Sequence, residues 1–146
     1  MLVNGEHYQS IWRDLKTGAI YIIDQRWLPH KFKIPALNST NEAMIAIREM
    51  WVRGAPLIGV TAAYGMAIAM AEDPSDGNLQ KAGQFLNSAR PTAVNLAWAI
   101  SKMQSLLVPL EANKRANAAM MFADQLAEED VQTNIAIGKH GAKLIA

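Results

Sequence analysis

Apolar positions change their spacing once along this chain, near residue 38. Before that point, short runs rich in β-branched and aromatic residues alternate with turn formers: Ser-Ile-Trp-Arg-Asp at 10–14, Ala-Ile-Tyr-Ile-Ile-Asp at 19–24 and His-Lys-Phe-Lys-Ile at 30–34. Such runs predict strands. Lys16-Thr17-Gly18 separates the first two, and Gly18 supplies the positive φ of a tight turn, so they predict a hairpin with the third run as an added edge. Pro35 argues against a further central strand.

Beyond residue 38 the period becomes helical. Ser39-Thr40-Asn41-Glu42 is a capping box, in which the Ser39 hydroxyl accepts from the Glu42 amide while the Glu42 carboxylate reaches back. The helix it opens is predicted to carry Ala43, Met44, Ile47 and Trp51 on one face, with Gly54 just past its end and Pro56 in the first turn of the next helix. Pro74, Asp76, Gly77 and Asn78 are predicted to end that second helix. A short amphipathic helix with Leu79, Ala82, Phe85 and Leu86 follows. Arg90-Pro91-Thr92 then starts another helix, with proline in its first turn, which Pro109 breaks. From Glu111 the pattern is helical almost to the C-terminus, and Asp130 to Asn134 are polar enough to allow a bend. The predicted class is α+β and mostly α: a small antiparallel sheet within residues 8–35 packed on a helical bundle over 39–145. Residues 1–37 are the expected β segment and 38–146 the helical part of the same domain.

Composition narrows the function classes. With 146 residues, 51% of them hydrophobic and 18% charged, the chain fits one globular domain with a sizeable core. A net charge of +1 offers no field for nucleic acid or anionic lipid. Without cysteine there is no disulfide, thiolate metal site or cysteine nucleophile here. The N-terminus lacks a basic region followed by an apolar stretch, so no signal peptide is read and the cytoplasm is the default compartment. Residues 55–71 carry no charge but fall short of the usual spanning length, so they predict a buried helix and no membrane anchor. The closing residues Ile-Ala-Ile-Gly-Lys-His-Gly-Ala-Lys-Leu-Ile-Ala are still apolar. That ending suggests a chain cut inside a larger protein, and it predicts self-association through Ile135, Ile137, Leu144 and Ile145.

One stretch carries candidate chemistry. In Arg53-Gly54-Ala55-Pro56 a charged residue stands against a glycine–proline break, just where a very apolar helix begins. First-turn amides and the positive end of the helix dipole suit a phosphate or carboxylate. Arg53 adds a bidentate donor. The competing reading is a tight helix corner with a solvated arginine, and such corners outnumber anion sites. Arg90-Pro91-Thr92 repeats the arrangement, with Thr92 or Asn95 near a helix start. Gly59, Ala63 and Ala67 form a ridge of small side chains for close helix packing. His7, His30 and His140 lack metal-binding spacing, and no phosphate-loop, dinucleotide or nucleophile-elbow motif is present.

Asp-Gln-Arg-Trp-Leu-Pro (24–29), Val-Arg-Gly-Ala-Pro-Leu-Ile-Gly-Val-Thr-Ala-Ala-Tyr-Gly (52–65), Ser-Ala-Arg-Pro-Thr-Ala-Val-Asn-Leu-Ala-Trp-Ala-Ile (88–100) and Ile-Ala-Ile-Gly-Lys-His-Gly-Ala-Lys-Leu-Ile (135–145) resemble, in this order, the methylthioribose-1-phosphate isomerases. The wider family holds isomerases acting on ribose 1,5-bisphosphate or deoxyribose 1-phosphate. It also holds regulatory subunits of the translation-initiation nucleotide-exchange factor. The resemblance implies conversion of 5-methylthioribose 1-phosphate to 5-methylthioribulose 1-phosphate in methionine salvage, without cofactor or metal. It carries substrate contacts to Arg53, Gly54, Ala55 and Arg90. The family's catalytic groups lie in a Rossmann-like C-terminal domain that this chain does not reach. The resemblance thus implies an N-terminal domain, inactive alone and with no catalytic residue of its own. A non-catalytic assembly module is the alternative.

Overall fold

A computed structural model describes residues 1–145, so Ala146, the last residue of the expected helical part, lies outside them. Strand β1 (Leu2–Val3) pairs with β2 (Glu6–His7) as one hairpin. Strand β3 (Ile11–Arg13) pairs with β4 (Ile20–Ile22), and β4 with β5 (Ala36–Leu37), as a second antiparallel sheet. A 3₁₀ turn spans Gln25–Trp27. Five helices follow: α1 (Thr40–Arg48), α2 (Ala55–Glu72), α3 (Asp76–Asn87), α4 (Val94–Leu107) and α5 (Ala112–Ile145). The class is mostly α with small antiparallel sheets, as the hydrophobic pattern predicts.

Several boundaries differ from that pattern, each for a local reason. The first hairpin is missing from the expected strands, although Asn4 and Gly5, both at positive φ, are a strong turn signal. The expected third strand at 30–34 is instead β5, after Pro35. The Lys33 and Pro35 carbonyls do accept from Asp24 and Ile22, but paired strand begins only where the chain regains amide donors. Helix α1 ends before Trp51. Met50 takes the left-handed conformation (φ 56°), and the amides of Met50 and Trp51 bond back to Ile47 and Ala46, a Schellman closure. Gly54, also at positive φ, therefore begins α2 and does not end α1. Asp76, Gly77 and Asn78 open α3 under the Ser75 hydroxyl and do not close α2. Pro91 lies in a turn ahead of α4, closed by the Ala93 amide on the Arg90 carbonyl, and not in the first turn of the helix. Helix α5 runs unbroken through 130–134. There, side chains of Gln132, Thr133 and Asn134 bond one turn back to Glu128, Glu129 and Asp130.

Helix α2 is the axis of the core. Its Gly65 faces Ala43 of α1 and Leu86 of α3, and its Gly59 faces the Asn95 carbonyl and Ala99 of α4. A Cβ on Gly59 would sit 3.0 Å from that carbonyl oxygen, so the ridge of small residues sets the α2–α4 spacing. Contact on every side explains a helix with no charge from Ala55 to Ala71. It is long and apolar enough to cross a membrane, with mean hydropathy 1.3, yet 72% of that window is buried inside this fold.

The buried polar residues Asp24, Thr61 and Arg115 are paired, and Asn87 Oδ1 alone among the buried side-chain oxygens and nitrogens of the described residues has no partner. Tyr64 of α2 donates to Asp124 of α5 at 2.9 Å, and Arg13 of β3 forks onto the same carboxylate. One acid thus ties the sheet to two helices. Burial, and then that carboxylate, push the Tyr64 hydroxyl well above its ordinary range. Arg115, only 5% exposed, donates to the carbonyls of Leu107, Val108, Leu110 and Pro74 and pairs with Asp76 at 2.6 Å. It caps the end of α4. The buried residues of α5 stop at Ala127, beyond which Ile137, Leu144 and Ile145 are exposed.

Candidate functional site

The starts of α1 to α4 divide into two kinds. Ser39 caps α1 and Ser75 caps α3, each hydroxyl accepting from an amide three residues on. Helix α2 begins at Gly54 and α4 at Ala93, and neither has a side-chain cap. Orphan first-turn donors are normally satisfied by side chains, water or ligand. The two uncapped starts lie side by side. Gly54, Ala55 and Ile58 from α2 and Ala93, Val94 and Asn95 from α4 line one open groove of about 470 Å³, with Arg90 in its wall. Both helix dipoles present their positive ends there.

The arginines divide the same way. Arg13 pairs with Asp124, Arg26 with Asp24 and Glu49, Arg48 with Glu49, and Arg115 with Asp76. Arg53 and Arg90 are exposed, and neither makes an ion pair within 4.0 Å among the described residues. Of the residues singled out from sequence, Gly54, Ala55 and Arg90 therefore come together in one groove. Arg53 precedes Gly54 directly but is not part of the groove wall.

The loop that carries Arg53 is braced by residues whose role the sequence pattern does not reveal. The Gln25 amide donates to the Trp51 carbonyl at 2.9 Å, and the Arg26 guanidinium lies 4.5 Å from the Trp51 ring centroid. Asp24, 4% exposed, accepts from the Arg26 amide and guanidinium and from the Trp27 indole. The Arg26 guanidinium holds the Asp24 carboxyl below the usual carboxylate range, and burial opposes it. The segment 24–29 is thus fastened to Trp51, two residues ahead of Arg53.

Among the described residues no group of three or more His, Asp or Glu could hold a metal ion. What the groove offers chemically is backbone donors at two helix N-termini and a guanidinium without an ion pair among the described residues. That set suits an anion such as a phosphate.

Residues 51–146 match the model of the Initiation factor 2 subunit family. The chain is 52% identical over 145 residues to methylthioribose-1-phosphate isomerase of Sinorhizobium medicae (strain WSM419), covering 99% of this chain and 40% of that one. It is 50% identical to a protein of the petC 3′ region of Rhodospirillum rubrum, covering 99% of this chain and 79% of that protein. Among solved structures, 5-methylthioribose 1-phosphate isomerase from Pyrococcus horikoshii OT3 aligns with TM-score 0.84 and 32% identity over 94% of this chain and 41% of its own. Subunit delta of translation initiation factor eIF-2B from A. fulgidus aligns with TM-score 0.85 and 35% identity over 94% and 42%. The chain spans about 40% of the length of the isomerases it matches. On the family model, which matches well over half of the chain, the chain belongs to the Initiation factor 2 subunit family.

Proposed function

We propose that this chain forms the phosphate-holding part of a sugar-phosphate isomerase site, with 5-methylthioribose 1-phosphate as substrate and the ketose 5-methylthioribulose 1-phosphate as product. Arg53, Gly54, Ala55 and Arg90 are the substrate-binding residues of that reading. The observation that carries it is the convergence of two uncapped helix starts with Arg90, in a protein whose other arginines, Arg53 apart, are paired.

In the reaction these groups bind and orient. Amides of Ala55 and Val94 and the Arg90 guanidinium hold the phosphate. Gly54 lets the ligand approach the backbone, and Arg53, next to the groove, steadies charge developing on sugar oxygens. Proton transfer between the adjacent sugar carbons falls to groups outside this chain. The proposed setting is the cytoplasm, with no nucleic-acid or membrane partner and with self-association through the exposed end of α5.

A second reading, a non-catalytic assembly module, draws on the equally close likeness to eIF-2B subunit delta. A chimera separates the two. In it this chain replaces the matching 145 residues of the Sinorhizobium medicae isomerase. The isomerase reading predicts turnover of 5-methylthioribose 1-phosphate, lost on Arg53→Ala or Arg90→Ala. A folded chimera without turnover favours the assembly module.

A further inference from the structure

Between α1 and α2 the chain passes through residues 49–54, and this passage decides where the α2 start lies. Residues 53–56 are exposed, and the buried face of α2 begins only at Leu57. Gly54 has no side-chain cap, and nothing stands within 4 Å of where its Cβ would be. The fixed points nearest the start are therefore Leu57 on one side and Trp51 and Val52 on the other. Val52 is fully buried, and the Trp51 and Val52 amides both donate to the Ala46 carbonyl. Ahead of them Met50 holds left-handed backbone (φ 56°), which costs a residue with a Cβ and persists only where its neighbours over-determine it. One guanidinium ties both neighbours. Arg26 donates to Glu49 at 3.5 Å and lies 4.5 Å from the Trp51 ring centroid, and the Trp51 indole donates to the same Glu49 oxygen at 3.3 Å. Arg26 is itself held by a fork onto Asp24, which is 4% exposed. None of Arg26, Glu49 and Trp51 lines the anion groove.

We propose that Arg26 is a positioning residue for the anion groove: its ties to Glu49 and Trp51 hold the left-handed turn at Met50 and so fix the α2 start against the α4 start. The inference rests on the reading of that groove as a phosphate site. Donors on two different helices hold one phosphate together only at a set separation. The α2 start has no cap of its own to set it, so its place is inherited from the passage before it. The task suits a guanidinium, which forks onto a carboxylate and stacks on a ring at the same time. An ammonium does one or the other.

The test separates position from charge. The 146-residue chain is titrated with inorganic phosphate at low salt, with the Ala55 and Val94 amide resonances as the readout. Amides of Glu42 and Asn78, at the serine-capped starts, report that each variant is folded. Arg26→Ala and Trp51→Ala are each expected to bind phosphate about fivefold more weakly than the unmodified chain. Arg26→Lys keeps the charge and is expected to stay weak, whereas Trp51→Phe keeps a ring face and is expected to bind within about twofold of the unmodified chain. Arg13→Ala removes the same charge from a paired arginine elsewhere in the fold and is expected to leave the affinity unchanged. Full affinity in Arg26→Lys together with a loss in Arg13→Ala would make the effect one of net charge. Unchanged affinity in Arg26→Ala and Trp51→Ala would end the positioning role. In both cases the anion site stands. If inorganic phosphate moves neither amide in the unmodified chain, the reading of the groove fails and the positioning role falls with it.

Discussion

Helices α1 and α3 start under serine hydroxyls, and helices α2 and α4 start under nothing that the chain itself supplies. These four starts, of five helices among the described residues, belong to one small fold and use the same backbone chemistry. A fold that caps two helices with its own side chains and leaves two open, adjacent to one another and beside a free arginine, places its unused donors together. The arginines repeat the lesson. Arg115 is consumed by four carbonyls and a carboxylate, whereas Arg90 faces water in the groove wall. Closed ends hold the fold, and open ends are available for a ligand.

The largest effect should come from breaking a closed end. Arg115→Ala strips the cap from α4 and leaves buried carbonyls unpaired, and is expected to lower the unfolding free energy by about 3 kcal/mol in denaturant titration. Asp24→Asn should cost less, roughly 1.5 kcal/mol at neutral pH, since part of its hydrogen bonding survives. Its sign with pH is fixed. The folded Asp24 carboxyl titrates below its unfolded value, so its contribution is complete above about pH 4 and disappears as pH falls through the folded value. The stability curves of wild type and Asp24→Asn should therefore converge in acid. Divergence there would refute the pairing.

Exchanging the two kinds of helix start sharpens the comparison further. Ser39→Ala should destabilise by about 1 kcal/mol, the usual value of a lost cap. Ala93→Asp should do the reverse, stabilising the fold by a similar amount while a carboxylate occupies the place of the anion and weakens phosphate binding. Smallest of all, Arg53→Ala and Arg90→Ala should each change stability by less than about 0.5 kcal/mol. A larger loss at either position would mean that the arginine serves the fold.

The helical pattern from Ser39 onward is legible because capping chemistry and apolar spacing are local: the Ser39 hydroxyl accepts from the Glu42 amide as the sequence suggests, although the Glu42 carboxylate reaches back to the Asn38 amide, one residue beyond the cap. Boundaries were harder where the backbone made an unexpected choice. Met50 accepts the left-handed conformation that glycine usually takes, so Gly54 misleads as the end of α1. Pro91 sits in a turn closed by Arg90 and Ala93, so proline misleads as the start of α4. The candidate residues Gly54, Ala55 and Arg90 could be named from glycine, proline and arginine spacing. That the two arrangements share one ligand could be suggested from their repetition, but the groove itself could not be drawn, because it depends on α2 and α4 lying against one another at Gly59, and Arg53 lies outside its wall. The brace beneath them was also hidden. Asp24 and Arg26 bond locally, but Trp51 joins them only through tertiary packing.

The central claim is that the two uncapped starts form one anion site. Phosphate titration of the isotope-labelled chain at low ionic strength, followed by amide NMR, tests it most directly. The account predicts saturable shifts at Ala55, Leu57, Val94, Asn95 and the Arg90 side chain, weakened by added salt, with Glu42 and Asn78 at the serine-capped starts unmoved. Shifts of equal size at all four starts, or none at α2 and α4, would contradict it.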